Sequence, residues 1–197
     1  MQQRTTAGHP FLWALLNLRK KTAKPNAAKG VVAGLVGGLI GAWMMSLSAR
    51  LTDRLGGRNG YSPSELSRLE ARRFVNGSSQ ELDSITVAAD WIDGLFGHRL
   101  SPGQKGFLAA AVHYGMGAGW GAAYGASVEY VPKLSTGLGS AFGVVESFAV
   151  ESVGNSALRV TRPLREYSLG EHLQSAADHA VYGVTLELTR RNLRKVL

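Results

Sequence analysis

The chain contains no cysteine among its 197 residues, which excludes a disulfide framework and a thiolate metal site. It has no His-Glu-x-x-His pair and no nucleophile elbow, so the common zinc-hydrolase and serine-hydrolase constellations are missing. Acids are scarce, 14 against 22 Lys and Arg, for a formal net charge of +8. That balance would fit nucleic acid, but the bases gather beside uncharged runs and no nucleic-acid-binding module is present, so anionic phospholipid is the expected partner and nucleic acid is not. Neither a catalytic constellation nor a resident cofactor or metal is expected.

What the sequence has in place of these is long stretches without charge. Residues 31–49, "VVAGLVGGLIGAWMMSLSA", carry none and are flanked by Lys24, Lys29 and Arg50. A helix needs about 20 such residues to cross bilayer hydrocarbon. A cleaved signal peptide is the rival reading, but a charged leader of about thirty residues is long for an n-region and the apolar run is long for an h-region. Residues 106–128 form a second run between Lys105 and Glu129. Its glycines never fall into G-x-G-x-x-G, so it is not a dinucleotide loop. Nor is it a linker, because Val112, Tyr114, Met116, Trp120 and Tyr124 interrupt the glycines.

The glycines instead repeat at intervals of four. Gly34 with Gly38, Gly37 with Gly41, Gly115 with Gly119, Gly117 with Gly121 and Gly125, and Gly139 with Gly143 all share this spacing. It lines small residues along one helix face and lets backbones approach closely in lipid. A third run, residues 134–153, is apolar apart from Glu146 and Glu151, and a fourth, 169–188, carries Glu171, Asp178 and Glu187. Ser168 with Glu171 reads as a capping box, and Arg190, Arg191, Arg194 and Lys195 complement the far end of that helix.

The expected fold is therefore all-α: a polytopic, four-transmembrane-helix bundle over residues 30–197, preceded by a basic segment 1–29. Within that segment "HPFLWALLNLRKK" suits an interfacial helix. The connector 50–105 is expected to be extramembrane and helical, with caps at Ser62 and Ser78. In its second helix Leu82, Ile85, Ala89, Ile92 and Phe96 recur on one face, which is expected to pack on the bundle or the membrane surface. Lys and Arg tie between the two sides of the membrane. Seven acids share the 50–105 connector and none lies in 1–29, so both termini are placed in the cytoplasm.

Ionisable groups inside spans carry the functional expectations. His113 lies eight residues after Lys105, His179 eight after Glu171, and Glu146 nine before Asn155, which sets all three about 12–14 Å below one surface at about 1.5 Å per residue. Asp178 adjoins this layer. Phase puts His113 on a face with Gly117, Trp120, Gly121 and Tyr124, and His179 with Tyr182, Gly183 and Glu187, so the two histidines are expected to face each other. A structural network, haem or metal binding by His113 and His179, and proton or small-solute passage are the three readings. Glu129 and Glu187, near the cytoplasmic ends, are expected to pair with Lys133 or Arg190.

The run "VHYGMGAGWGAAYGASVEYVPKL", then "GLGSAFG", and the tail "DHAVYGVTLELTRRNLRKVL" resemble the YagU-like family of small bacterial inner-membrane proteins of uncharacterised function. The resemblance covers about Lys29 to the C-terminus. It implies a multi-pass inner-membrane address, with His113, Tyr124, Glu129, Pro132, His179, Glu187 and Arg190 at the family's recurrent polar positions. It implies no reaction. The functional expectation is a non-enzymatic inner-membrane protein that self-associates or joins a larger complex.

Overall fold

The computed structural model describes residues 24–55, 79–97, 100–158 and 168–197, and every regular element among them is helical. Helix α1 covers Ala27–Leu55, α2 Ser79–Leu95, α3 Pro102–Tyr130, α4 Ser140–Leu158 and α5 Leu169–Leu193, with a 3-10 segment at Pro132–Gly139. The interfacial stretch within 1–29 and the helix expected from Ser62 lie outside the described residues.

Local sequence accounts for the helix ends. Asn26 Oδ1 accepts the Lys29 amide at 3.0 Å and starts α1. At α3 the signal is a full capping box: Ser101 Oγ accepts from the Gln104 amide and Gln104 Oε1 from the Ser101 amide, with a proline in the first turn. Pro132 ends α3, since it has no amide to donate back. The third run was expected to be helical from residue 134, but α4 begins only at Ser140. Gly137, Leu138 and Gly139 hold φ of 62°, 57° and 88°, a left-handed corner that a right-handed helix cannot include.

Glycine geometry sets the packing. On α1, Gly30, Gly34 and Gly38 lie against Gly125, Gly121 and Gly117 of α3, each so close that an added Cβ would overlap the facing carbonyl oxygen. One more step of four brings Ala42 to His113, whose Nε2 is 3.3 Å from the Ala42 oxygen. In the other direction the ladder ends where the Asn26 amide donates to Glu129 Oε2 at 3.0 Å. Helices α1 and α3 are thus antiparallel and in one register for most of their length. A second face of α1, one residue further round, meets α5: Gly37 sits on Leu186 and Gly41 on Tyr182. A third close contact joins the 3-10 segment and α4 to α5, with Gly139 on Gly183 and Gly143 on the His179 carbonyl.

All seven glycines expected to serve helix packing, Gly34, Gly38, Gly117, Gly121, Gly125, Gly139 and Gly143, lie in these interfaces. Gly115 and Gly119 do not: an added Cβ at either meets nothing within 4 Å. They share the spacing of four but point to the opposite side of α3. Helix α2 also departs from expectation. Ile85 and Ala89 are buried against Ala109 of α3, yet Phe96 is 66% exposed. The helix stops at Leu95, and Asp93 takes the next buried position, held by Lys105 at 2.9 Å.

Among the described residues one helix, over Ala27–Thr52, is long and apolar enough to cross a membrane by length and composition. In the other runs glycine, alanine and polar side chains dilute the apolar ones.

The glycine ladder predicts opposite outcomes for one chemical change. Gly34→Ala places a methyl group inside the α3 backbone and is expected to destabilise the fold by about 1–3 kcal/mol. Gly115→Ala adds helix propensity on an open face, for a gain of up to about 1 kcal/mol. Thermal melts of the two purified variants check the contrast, and equal losses would remove the ladder as its cause.

Candidate functional site

Two polar clusters occupy the bundle, one toward each end. The first joins the α1 start, the α3 end and the α5 end. Glu187 is fully buried and accepts from Tyr124 Oη at 3.0 Å, from Arg190 Nε at 2.7 Å and Nη2 at 3.0 Å, and from Arg191 Nε. Glu129 accepts a two-pronged pair from Arg194, Nε to Oε1 at 2.7 Å and Nη2 to Oε2 at 2.8 Å. Arg190 Nη1 reaches Glu129 Oε1 at 3.5 Å and bridges the two carboxylates, while Arg191 Nη2 touches Ser135 Oγ at 3.4 Å. Lys29 Nζ donates to the carbonyl oxygen of Leu197.

A carboxylate taken out of water needs every lone pair satisfied, and here planar guanidinium forks supply the donors. The α5 helix delivers them at i+3 and i+4 from Glu187 and one turn further on for Glu129. Of the expected pairings, Glu187 with Arg190 holds. Glu129 pairs with Arg194 and Arg190 rather than with Lys133, because α5 rather than the α3–α4 corner lies beside it. Arg194 and Arg191 were read as helix-end cations, and only the packing shows which acids they serve.

The second cluster is the expected histidine layer. His113, Glu146, Asp178 and His179 are all buried. His113 Nε2 lies 3.1 Å from Ser46 Oγ and 3.3 Å from the Ala42 oxygen on α1. Ser46 Oγ itself donates to the Ala42 carbonyl at 3.0 Å. A carbonyl only accepts, so the arrangement is satisfied when Nε2 carries the proton and shares it between the two oxygens. His179 Nδ1 donates to the Ser175 carbonyl at 2.9 Å, which leaves Nε2 turned to Glu146 Oε2 at 3.8 Å. Gln174 Nε2 donates to Asp178 Oδ2 at 2.9 Å.

Through these contacts His113 bonds to α1, and His179 bonds within α5 and approaches α4. Among the described residues no group of three or more His, Asp or Glu side chains could hold a metal ion. Trp120, expected on the inward face with His113, is instead more than one-third exposed. Ser46 was missed, although it continues the α1 stripe of Gly30, Gly34, Gly38 and Ala42 by one more step of four. Tyr182 Oη donates to the Gly117 carbonyl at 2.7 Å and ties α5 to α3 between the two clusters. The Tyr124 and Phe142 rings, 4.5 Å apart, bring α4 onto the same centre.

No family model matches the chain, and no curated protein or solved structure matches it either.

The Arg194 fork holds the Glu129 carboxyl below its ordinary value of 4.5, helped by the Asn26 amide and by Arg190. A depressed folded-state value means the stabilisation is present above the ordinary value and is lost as pH falls through the lowered one. Melting temperature in detergent is therefore expected to drop as pH falls below the ordinary glutamate range, and Glu129→Gln to lower the plateau and flatten that drop. A variant that keeps the full acid-side slope would show that Glu129 is not its source.

Proposed function

We propose that the protein is a non-enzymatic integral membrane protein of the bacterial inner membrane, with α1, α3, α4 and α5 as four spans and both termini cytoplasmic. In this reading it acts by associating with itself or with a larger complex. The observation that carries the proposal is the use and re-use of small-residue faces. One side of α3 is consumed by the glycine ladder, while the opposite side, Ala111, Gly115, Gly119, Ala123 and Ser127, repeats the same spacing and is exposed along its whole length. Small faces of this kind are how helices associate where lipid removes the hydrophobic drive.

Membrane insertion rests on the third face of α1. Val32, Leu35, Leu39, Ile40, Trp43 and Leu47 are exposed together there, a stripe that water would penalise and acyl chains would not. Orientation rests on the two ends of the bundle. The end that holds the α1 start and the α5 end carries Lys24, Lys29, Lys133 and the α5 arginines, whereas α2 at the other end has Glu81, Asp83, Asp90 and Asp93 with no base. The resemblance to the YagU-like family belongs to the same proposal. Tyr124, Glu129, Glu187 and Arg190, four of its recurrent positions, fall in one cluster.

Protein in mild detergent is expected to show a mass, after detergent correction, at least twice its 21.0 kDa chain mass, or to carry a partner with it. Gly119→Leu should return it to a single chain with an unchanged melting temperature. A wild-type particle that is monomeric and partner-free in native membranes counts against the proposal.

A second reading has a specific observation behind it: the His179–Glu146 approach places a titratable pair inside the bundle at the depth of His113. Proton or small-solute passage through this layer predicts a pH-dependent flux in proteoliposomes that His113→Ala or Glu146→Gln abolishes without loss of folded protein. Variants that lose stability and flux in parallel would mark the layer as structural.

A further inference from the structure

Helix α2 was expected to lie outside the spans and pack on the bundle or the membrane surface, and its contacts set its level along the bundle. Asp93 is fully buried and bonded to Lys105 at 2.9 Å, and it also accepts the Leu100 amide at 3.0 Å. Lys105 is the last charged residue before the uncharged run of α3, and the ion pairs with Asp93 and Asp90 raise the pKa of its ammonium group. One turn back along α2, Ala89 and Ile85 pack on Ala109. Ala109 lies three residues inside that run, about 4–5 Å past its edge at about 1.5 Å per residue. The α1–α3 register sets Ala109 level with Ser46, also three residues inside the α1 run.

Trp91 stands between these two pins and is therefore level with the edge itself. It is 67% exposed, as is Leu95, with Phe96 beside them. An outward tryptophan, leucine and phenylalanine on a helix that hides its other face is costly in water. The neighbouring helices continue the surface at this level: Phe107 on α3 is 76% exposed and Leu173 on α5 is 62% exposed. The α1–α5 register, Gly37 to Leu186 and Gly41 to Tyr182, carried on by steps of four, sets Leu173 beside the end of the α1 run. Three helices thus present large apolar side chains in one belt, where amphipathic rings and interfacial helices settle in a bilayer.

We propose that α2 is a bilayer-interface helix whose Trp91, Leu95 and Phe96 enter the boundary between headgroups and acyl chains in the leaflet opposite the α1 start and the α5 end. The inference rests on the membrane reading above. The lipid it fits is zwitterionic or neutral. The helix has four acids and no base, so an anionic surface would repel it and insertion depends on apolar burial alone. It differs in kind from the basic N-terminal segment.

The test uses the full chain in phosphatidylcholine vesicles whose acyl chains carry bromine either near the headgroup or near the terminal methyl. Two single-tryptophan variants are compared, with the remaining tryptophans changed to Phe: one keeps Trp91 and the other keeps Trp43, midway along the exposed face of α1. Trp91 emission is expected to be quenched about twofold more by shallow than by deep bromine, and to be protected from aqueous iodide. Trp43 should show the reverse depth preference. If Trp43 is quenched by lipid while Trp91 is quenched by iodide, the interface assignment is wrong and the membrane reading survives. If neither responds to bromine, both fall. Protection of Trp91 from both quenchers would mean that protein covers the face, and would also overturn the assignment. Should the multiple Phe replacements unfold the chain, the cysteine-free background allows Leu95→Cys with a nitroxide label. Oxygen should then collide with the label more often than a water-soluble nickel chelate does, and the opposite ratio would refute the proposal.

Discussion

Backbone contact on two adjacent faces of α1 is the constraint from which the arrangement follows. Gly34 and Gly38 admit α3, while Gly37 and Gly41, one residue further round the same helix, admit α5. With no Cβ at these positions the helices meet at carbonyl oxygens rather than at side chains, so neither partner can slide without a clash. The ladder thereby sets the level of everything else on α3. It puts His113 against Ala42 and Ser46 at one end and Glu129 against Asn26 at the other. A side chain at any rung would push α3 away from α1 and part His113 from Ala42 and Ser46, and Glu129 from Asn26.

The two clusters solve different electrostatic problems. At the end that holds the α1 start and the α5 end, guanidinium forks are matched to carboxylates, with two acids, three arginines and a tyrosine hydroxyl sharing one set of hydrogen bonds. Such a cluster contributes register more than net stability, since desolvation offsets most of the attraction. In the histidine layer, helix carbonyls and a serine hydroxyl hold the two imidazoles, and His179 Nε2 stands 3.8 Å from Glu146 Oε2. That approach of an imidazole to a carboxylate is why the layer carries the idea of proton movement.

The left-handed corner between α3 and α4 connects these features. Gly137 and Gly139 adopt positive φ without a Cβ penalty, whereas Leu138 does so at φ 57° with a full side chain, a conformation that costs about 1–2 kcal/mol. The strain is tolerated because the corner delivers Gly139 and Gly143 onto Gly183 and the His179 carbonyl, the third glycine contact of the bundle. A chain running straight on from Pro132 would carry α4 away from α5 and leave Glu146 without His179.

Helical character, the spacing of the packing glycines and the burial of His113, Glu146, Asp178 and His179 were legible in the sequence, because periodicity and the cost of isolated charge act within a few residues. The same rules named Gly115 with Gly119 as readily as Gly117 with Gly121, since an interval of four marks a face without saying which face is covered. They set Gly183 on the inward face of His179 but not against its partners, because its neighbours four residues away are His179 and Glu187 rather than small residues and the facing glycines, Gly139 and Gly143, come from another segment. They named Glu129 and Glu187 as paired acids but not Arg194 as the partner of Glu129, 65 residues along the chain. Only the tertiary structure assigned these contacts. Which helix stands beside which is decided by the summed fit of many distant surfaces, and no local pattern encodes that sum.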